Sequence, residues 1–143
     1  MAIVLFDTNI IIDMLDGVPE ALEVVAGGEY ESKIISSINW MEVACQMTPE
    51  RIADFRIKLL RLDIDVVQTS EQIMVRAAAI RRASTKENTK KTLPDCIIRA
   101  TAEVENRIVI TRNARDFGGP GPFVHVPYIL EHGVVSNVRP PLA

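Results

Sequence analysis

Four acidic residues stand at corresponding places along the chain, and their spacing suits metal chemistry. Asp7 follows the apolar run at residues 3–6, Glu42 follows the strand candidate KIISSI at residues 33–38, and Asp116 follows RIVIT at residues 107–111. Asp95 lies in the first turn of an apolar helix just before that last strand. If these strands are parallel neighbours, right-handed crossovers bring the carboxylates together at the carboxyl edge of one sheet.

Each acid also has a simpler explanation when it is taken alone. Asp7, Thr8 or Asn9 can cap the helix that begins near residue 10, because all three residue types accept or offer hydrogen bonds at helix starts. Glu42 borders an apolar helical stripe, as surface glutamates commonly do. Asp95 suits the positive end of a helix dipole. The case for chemistry is that all four lie at one predicted edge.

Clustered carboxylates raise one another's pKa values unless a counter-charge is present, and a divalent cation supplies it. Oxygen ligands without a nearby histidine or cysteine favour Mg²⁺ or Mn²⁺ over zinc. His125 and His132 have no partner at metal-ligand spacing, and Cys45 and Cys96 form no CxxC pair. The sequence therefore predicts a site for one or two Mg²⁺ or Mn²⁺ ions, held by Asp7, Glu42, Asp95 and Asp116.

The surrounding pattern predicts an α/β fold. Apolar strands at residues 3–6, 33–38, 64–67 and 107–111 alternate with helices, and residues 123–126 form an edge-strand candidate. Strand 3–6 shows no polar alternation, so both of its faces should be buried between helices. We expect a three-layer α/β/α sandwich around a central, mostly parallel sheet of four or five strands.

Composition limits the class of protein. The 143 residues are 48% hydrophobic, which suffices for one core and not for two ordinary domains. We expect one domain over residues 1–132 and a weakly held C-terminal tail at 133–143. The net charge of −3 neither indicates nor excludes a nucleic-acid partner. With no secretion signal and no run long enough to span a membrane, the chain is expected in the cytoplasm.

Four segments make the sequence resemble a known family. IVLFDTNIIIDML, SSINWMEV, LPDCIIRATA and ITRNARDF are similar, in that order, to the four acidic motifs of PIN-domain nucleases, and above all to VapC-type toxins of toxin–antitoxin pairs. The resemblance extends from Ile3 to Phe117. DTN after a strand and TRN followed by DF are the most specific motifs, and Asn39 stands where members often carry threonine.

The resemblance implies a metal-dependent endoribonuclease with Asp7, Glu42, Asp95 and Asp116 as its catalytic, metal-holding quartet. Asn9, Thr111 and Asn113 would orient that site. It also implies an RNA substrate such as tRNA or rRNA, a cognate antitoxin and a homodimer. Basic side chains are candidates for the RNA backbone: Lys86, Lys90, Lys91, Arg99, Arg112 and Arg115. The polar loop STKENTKKT at residues 84–92, which carries the three lysines, could equally be plain solvated surface.

Other phosphate-handling and metal-binding folds fit less well. A haloacid-dehalogenase-type phosphatase needs DxD, and Asn9 replaces the second acid. A receiver domain needs an acid after the third strand, where Gln68 and Thr69 stand, and a metal-dependent adhesion module needs DxSxS. The remaining rival from another class is a catalytically silent PIN-fold scaffold that binds RNA or a protein. A metal-dependent cleavage assay separates it from a nuclease.

Overall fold

The structure is a computed structural model that describes residues 1–87, 89 and 91–142. The central strands are β1 (Ile3–Phe6), β2 (Ser32–Ser36), β3 (Ile64–Val67), β4 (Ile108–Ile110) and β5 (Val124–His125). The helices are α1 (Thr8–Leu15), α2 (Pro19–Ala26), α3 (Ser37–Ala44), α4 (Pro49–Arg61), α5 (Glu71–Lys86) and α6 (Leu93–Val104). A short 3-10 helix, Ala114–Phe117, follows β4, and strands β6 (Ile129–Glu131) and β7 (Val134–Ser136) close the chain.

The five-stranded sheet has the order β3-β2-β1-β4-β5, and every neighbouring pair is parallel. The predicted parallel α/β sheet is therefore confirmed, with β1 at its centre. This position places the residue after β1 beside the residues that follow β2 and β4. The carboxyl edge of the three central strands is the part of the fold that positions the site.

Helices cover both faces of the sheet, as the uninterrupted apolar character of β1 predicts. Val4 and Phe6 are fully buried in a cluster with residues of α1, α2 and α4, whereas Leu5 is buried on the opposite face against α6. Helix α5 then packs against α6. This arrangement is the expected three-layer sandwich.

The predicted second strand extends two residues too far. It ends at Ser36 because this residue caps α3: the Ser36 hydroxyl accepts a hydrogen bond from the Asn39 backbone at 3.0 Å, and the Asn39 side chain accepts one from the Ser36 backbone at 2.8 Å. This reciprocal capping box turns the chain into a helix at Ser37. Helix α3, which carries Glu42, therefore begins directly at the carboxyl edge.

The predicted tail at residues 133–143 requires a correction at its start. Val134–Ser136 pairs with Ile129–Glu131 as an antiparallel hairpin, and Val135 packs against the main core cluster. Gly133, with a φ of 75°, forms the turn that the hairpin needs. The boundary expected after residue 132 thus falls inside a hairpin. In the described part of the chain, no helix is long and apolar enough to cross a membrane.

Candidate active site

Asp7 lies at the junction of β1 and α1 and is almost completely buried, with 7% of its surface exposed. It is the N-cap of α1, because its Oδ1 accepts a hydrogen bond from the Thr8 backbone at 2.8 Å. The capping explanation is therefore correct for Asp7. It does not replace the site explanation, since the same carboxylate also faces the ends of β2 and β4.

Side chains from neighbouring elements hold the second oxygen of Asp7. The hydroxyl of Thr111, at the end of β4, donates to Oδ2 at 2.8 Å, and the Asn9 amide donates to the same atom at 3.3 Å. The Thr111 oxygen in turn accepts the backbone N–H of Asn113 at 2.9 Å. Asn113 then donates through its side-chain amide to Asp116 at 2.8 Å. The three predicted orienting residues thus form one network between two of the predicted acids.

Glu42 is connected to Asp7 through two residues whose contribution the sequence analysis did not identify. The Thr8 hydroxyl donates to Glu42 Oε1 at 2.6 Å. The buried Asn39 amide donates to the Thr8 oxygen at 3.0 Å and lies 3.5 Å from Asp7 Oδ1. Asn39 is one helical turn from Glu42 on α3, a spacing that could have indicated a shared face. Glu42 itself is exposed, as expected for a helix-surface glutamate.

Asp95 and Asp116 line a second part of the site. Both border a cavity of about 870 Å³ between the start of α6 and the 3-10 helix, which we call the acidic groove. Asp95 lies in the first turn of α6, as predicted, and the structure shows Thr92 as the cap of this helix. Asp116 lies in the 3-10 helix that follows β4. The acidic groove also contains Lys91, Arg99 and Arg115.

Charge interactions connect the four acids. Burial raises the pKa of Asp7 to about 6, and the charges of Glu42 and Asp116 act in the same direction against the lowering effect of its hydrogen bonds. Burial is also the largest cause that raises the pKa of Asp116, and the charge of Asp95 raises it further. The fold thus gathers the four predicted acids at one edge, where their negative charges oppose one another.

The donor chemistry of this edge fits a divalent cation that prefers oxygen ligands, since carboxylates whose negative charges oppose one another gain from a positive charge between them. The described residues nevertheless contain no group of three acidic, histidine or cysteine side chains close enough to hold an ion as they stand. Each of Asp7, Glu42 and Asp116 is hydrogen-bonded to its own neighbours instead. The assignment of the quartet as metal ligands stays a prediction.

The predicted basic residues are in different surroundings. Lys91 reaches from the loop after α5 to the backbone carbonyl of Arg115. Arg99 lies over Gly118 and pairs with Glu103 at 3.2 Å. Lys86 is exposed at the end of α5, and Lys90, also a predicted RNA contact, lies outside the described residues. Lys91, Arg99 and Arg115 are thus the predicted cations that line the acidic groove.

Arg112 occupies a different position from the one expected. Its guanidinium binds the carboxylate of Asp13 with two hydrogen bonds, at 2.7 and 3.2 Å, and Asp13 is 4% exposed. The fully buried Tyr128 donates its hydroxyl to the same carboxylate at 2.8 Å. Asn9 accepts the Arg112 backbone N–H at 3.2 Å. We call Asp13, Arg112 and Tyr128 the buried ion-pair triad. Its hydrogen bonds connect the turn after β4 to α1.

The raised pKa of Asp7 predicts how stability depends on pH in the absence of metal. Folded Asp7 keeps its proton up to about pH 6, whereas the unfolded chain releases it near 3.8. The folded state therefore binds more protons between these values, and this group lowers the free energy of unfolding as pH rises from 4 to above 6. This difference between the pKa values of Asp7 in the unfolded and folded states corresponds to about 3 kcal/mol in the free energy of unfolding.

Urea unfolding of the wild type and of Asp7→Asn, in chelator at about pH 4 and pH 7, measures this effect. We expect the variant to lose less stability than the wild type across that range, because its residue 7 does not titrate. Parallel pH profiles for the two proteins would contradict the prediction.

Comparisons with known proteins agree with this fold. The PIN domain family profile matches residues 4–118. A toxin–antitoxin complex from Klebsiella pneumoniae contains a chain that is 34% identical, with a TM-score of 0.72, over 89% of this chain and 99% of that one. No curated protein matches the sequence at a significant level.

Two further solved structures share the fold. The DNA-bound VapBC of Salmonella typhimurium is 23% identical with a TM-score of 0.69, over 87% of this chain and 98% of the other. FitAcB from Neisseria gonorrhoeae is 22% identical with a TM-score of 0.64, over 81% and 91%. The family profile covers all four acids and most of the chain, and it confirms the resemblance inferred from the motifs: the chain belongs to the PIN domain family.

Proposed function

We propose that this protein is a metal-dependent endoribonuclease and the toxin component of a toxin–antitoxin pair. The observation that carries the proposal is the convergence of Asp7, Glu42, Asp95 and Asp116 at the carboxyl edge of a PIN-domain sheet. The toxin–antitoxin complex from Klebsiella pneumoniae, similar over nearly the whole chain, supports the biological role. The cytoplasm is the proposed location.

In this proposal, Asp7 and Asp95 are the main ligands of Mg²⁺ or Mn²⁺, with Glu42 and Asp116 binding directly or through water. With one or two such ions bound, the site would supply polarisation of a phosphoryl oxygen and a water of lowered pKa. Thr111 and Asn9 aim the Asp7 carboxylate.

The Asn113 side chain orients the Asp116 carboxylate. Lys91, Arg99 and Arg115 line the acidic groove and would neutralise the RNA backbone on its way to the acids, with Lys86 further out. Arg112 has no part in this proposal, because its guanidinium is bound to Asp13.

The experiment is cleavage of total cellular RNA and of purified tRNA and rRNA by the isolated protein. We expect cuts with Mg²⁺ or Mn²⁺ and none with excess chelator, and mapping the new ends identifies the substrate. Absence of metal-dependent cuts with any of these RNAs would instead support a silent PIN-fold scaffold. The presence or absence of metal-dependent cuts therefore decides between the two.

We also propose a homodimer, for which the apolar surface of two helices provides a physical reason. Leu60 on α4 is 79% exposed, and Met74 and Val75 on α5 are 54% and 65% exposed. We expect sedimentation to show a dimer at micromolar concentration. A charge at the interface should dissociate it, so Leu60→Glu or Val75→Glu should shift the population to monomer. A wild-type protein that sediments only as a monomer would contradict the proposed homodimer.

A further inference from the structure

A cavity of about 320 Å³ lies between the second half of α6 and β5, outside the acidic quartet. Phe117, Phe123, Arg99, Asn106 and Arg107 are among its lining residues, and we call it the Phe123 cavity. Phe123 is 64% exposed, an unusual state for a phenylalanine. Its backbone is nevertheless fixed, because its carbonyl accepts the Val109 N–H at 2.9 Å. The sheet therefore presents an aromatic ring at a defined place.

The Phe123 cavity and the acidic groove share one lining residue. Arg99 lines both cavities, and its guanidinium lies so close to Gly118 that an added Cβ there would be 3.4 Å from Nη2. Gly118 also has a φ of 85°, a conformation that favours glycine. A polymer that enters the acidic groove at Asp95 and Asp116 would therefore pass Arg99 and reach the ring of Phe123.

The charges around the Phe123 cavity favour an anionic ligand. Glu103 is the acid of its lining, and both Arg76 and Arg99 pair with it. Arg107 is the second arginine of the lining, so the lining carries two cations and one acid.

Arg107 is held in place by a side-chain hydrogen bond. Its Nη1 donates to Ser32 at 2.7 Å, whereas its buried Nε has no hydrogen-bond partner among the described residues. An apolar floor of Ala102, Val109 and Phe117 completes the cavity. Apolar surface with a few polar groups at its edge is typical of a site for a flat, partly polar ring.

We propose that the Phe123 cavity binds one unpaired nucleotide of the RNA, beyond Arg99 on the path that leads away from the phosphodiester bond that is cut. Its base stacks on Phe123, Asn106 and Arg107 offer hydrogen bonds to the base edge, and Arg99 lies against the adjacent phosphate. This inference rests on the proposed ribonuclease function and adds a substrate class to it. A base inside a duplex cannot reach the ring, so the enzyme requires a single-stranded flank.

Binding can be measured without cleavage, using Asp7→Asn and fluorescently labelled single-stranded RNA that contains the mapped site. We expect Phe123→Ala in this background to weaken binding about tenfold, the usual effect of losing one base–aromatic stack. Phe123→Trp should retain the affinity. Val134→Ala is the matched control, because Val134 is an apolar residue with 65% exposure that lines neither cavity, and it should change nothing.

A scan with single abasic nucleotides identifies the base. An abasic nucleotide at one position should weaken binding about tenfold when the protein retains Phe123. The same abasic nucleotide should have no further effect on binding to the Phe123→Ala protein, since both changes remove the same contact. In the cleaving protein, Phe123→Ala should raise KM with little change in kcat.

The outcomes distinguish this inference from the proposed function. If the wild type cuts RNA and Phe123→Ala binds and cuts equally well, the nucleotide site is wrong and the nuclease stands. If Phe123→Ala alters the oligomeric state or antitoxin binding and leaves RNA binding unchanged, the cavity is a protein contact. If the wild type neither binds nor cuts any RNA, both proposals fail.

Discussion

Asp7→Asn is expected to lower the rate of RNA cleavage by at least about a hundredfold while the protein stays folded. The substitution keeps the volume of the side chain, and the amide oxygen can still cap α1 by accepting the Thr8 N–H. It removes the negative charge that the proposed metal site needs at the centre of the edge. The measurement is the initial cleavage rate at saturating Mg²⁺ or Mn²⁺.

The matched control is Asp54→Asn, the same chemical change at an exposed position of α4. It should cleave like the wild type. Thermal unfolding at about pH 7 completes the comparison, since removal of the buried charge should leave Asp7→Asn at least as stable as the wild type without metal. Undiminished cleavage by folded Asp7→Asn would refute the assignment of the quartet.

The buried ion-pair triad is expected to make the largest single contribution to stability from a polar contact. Asp13→Asn should lower the free energy of unfolding by about 2 to 3 kcal/mol, because it leaves the Arg112 guanidinium without its counter-charge. This estimate is below the usual figure for buried pairs, since the Arg112 side chain is 29% exposed. The melting temperature should fall by about 10 °C, measured by calorimetry.

Two further variants separate the parts of the triad. Tyr128→Phe removes only the hydroxyl that donates to Asp13, and we expect a loss of about 1 kcal/mol. Asp16→Asn, at the exposed C-cap of the same helix, should change stability by less than about 0.5 kcal/mol. Equal melting temperatures for Asp13→Asn and Asp16→Asn would show that the triad is not a significant stabilising contact.

Local rules in the sequence predicted several elements closely. Thr48 before Pro49 and Ser70 before Glu71 are residue types that favour helix starts, and α4 and α5 begin directly after them. The strand 64–67 was predicted with its observed bounds. The alternation of such elements was enough for the parallel sheet, because parallel strands need crossover helices and these have one hand.

The sequence by itself therefore determined the order of the elements, the central strand and the edge at which Asp7, Glu42, Asp95 and Asp116 meet. Only the tertiary structure decided the partners of individual side chains. Tyr128 reaches Asp13 across 115 residues, and Arg112, a neighbour of Asp116 in sequence, turns away to the same carboxylate. Periodicity reports which face of an element is buried, but a contact between distant residues depends on how the elements pack.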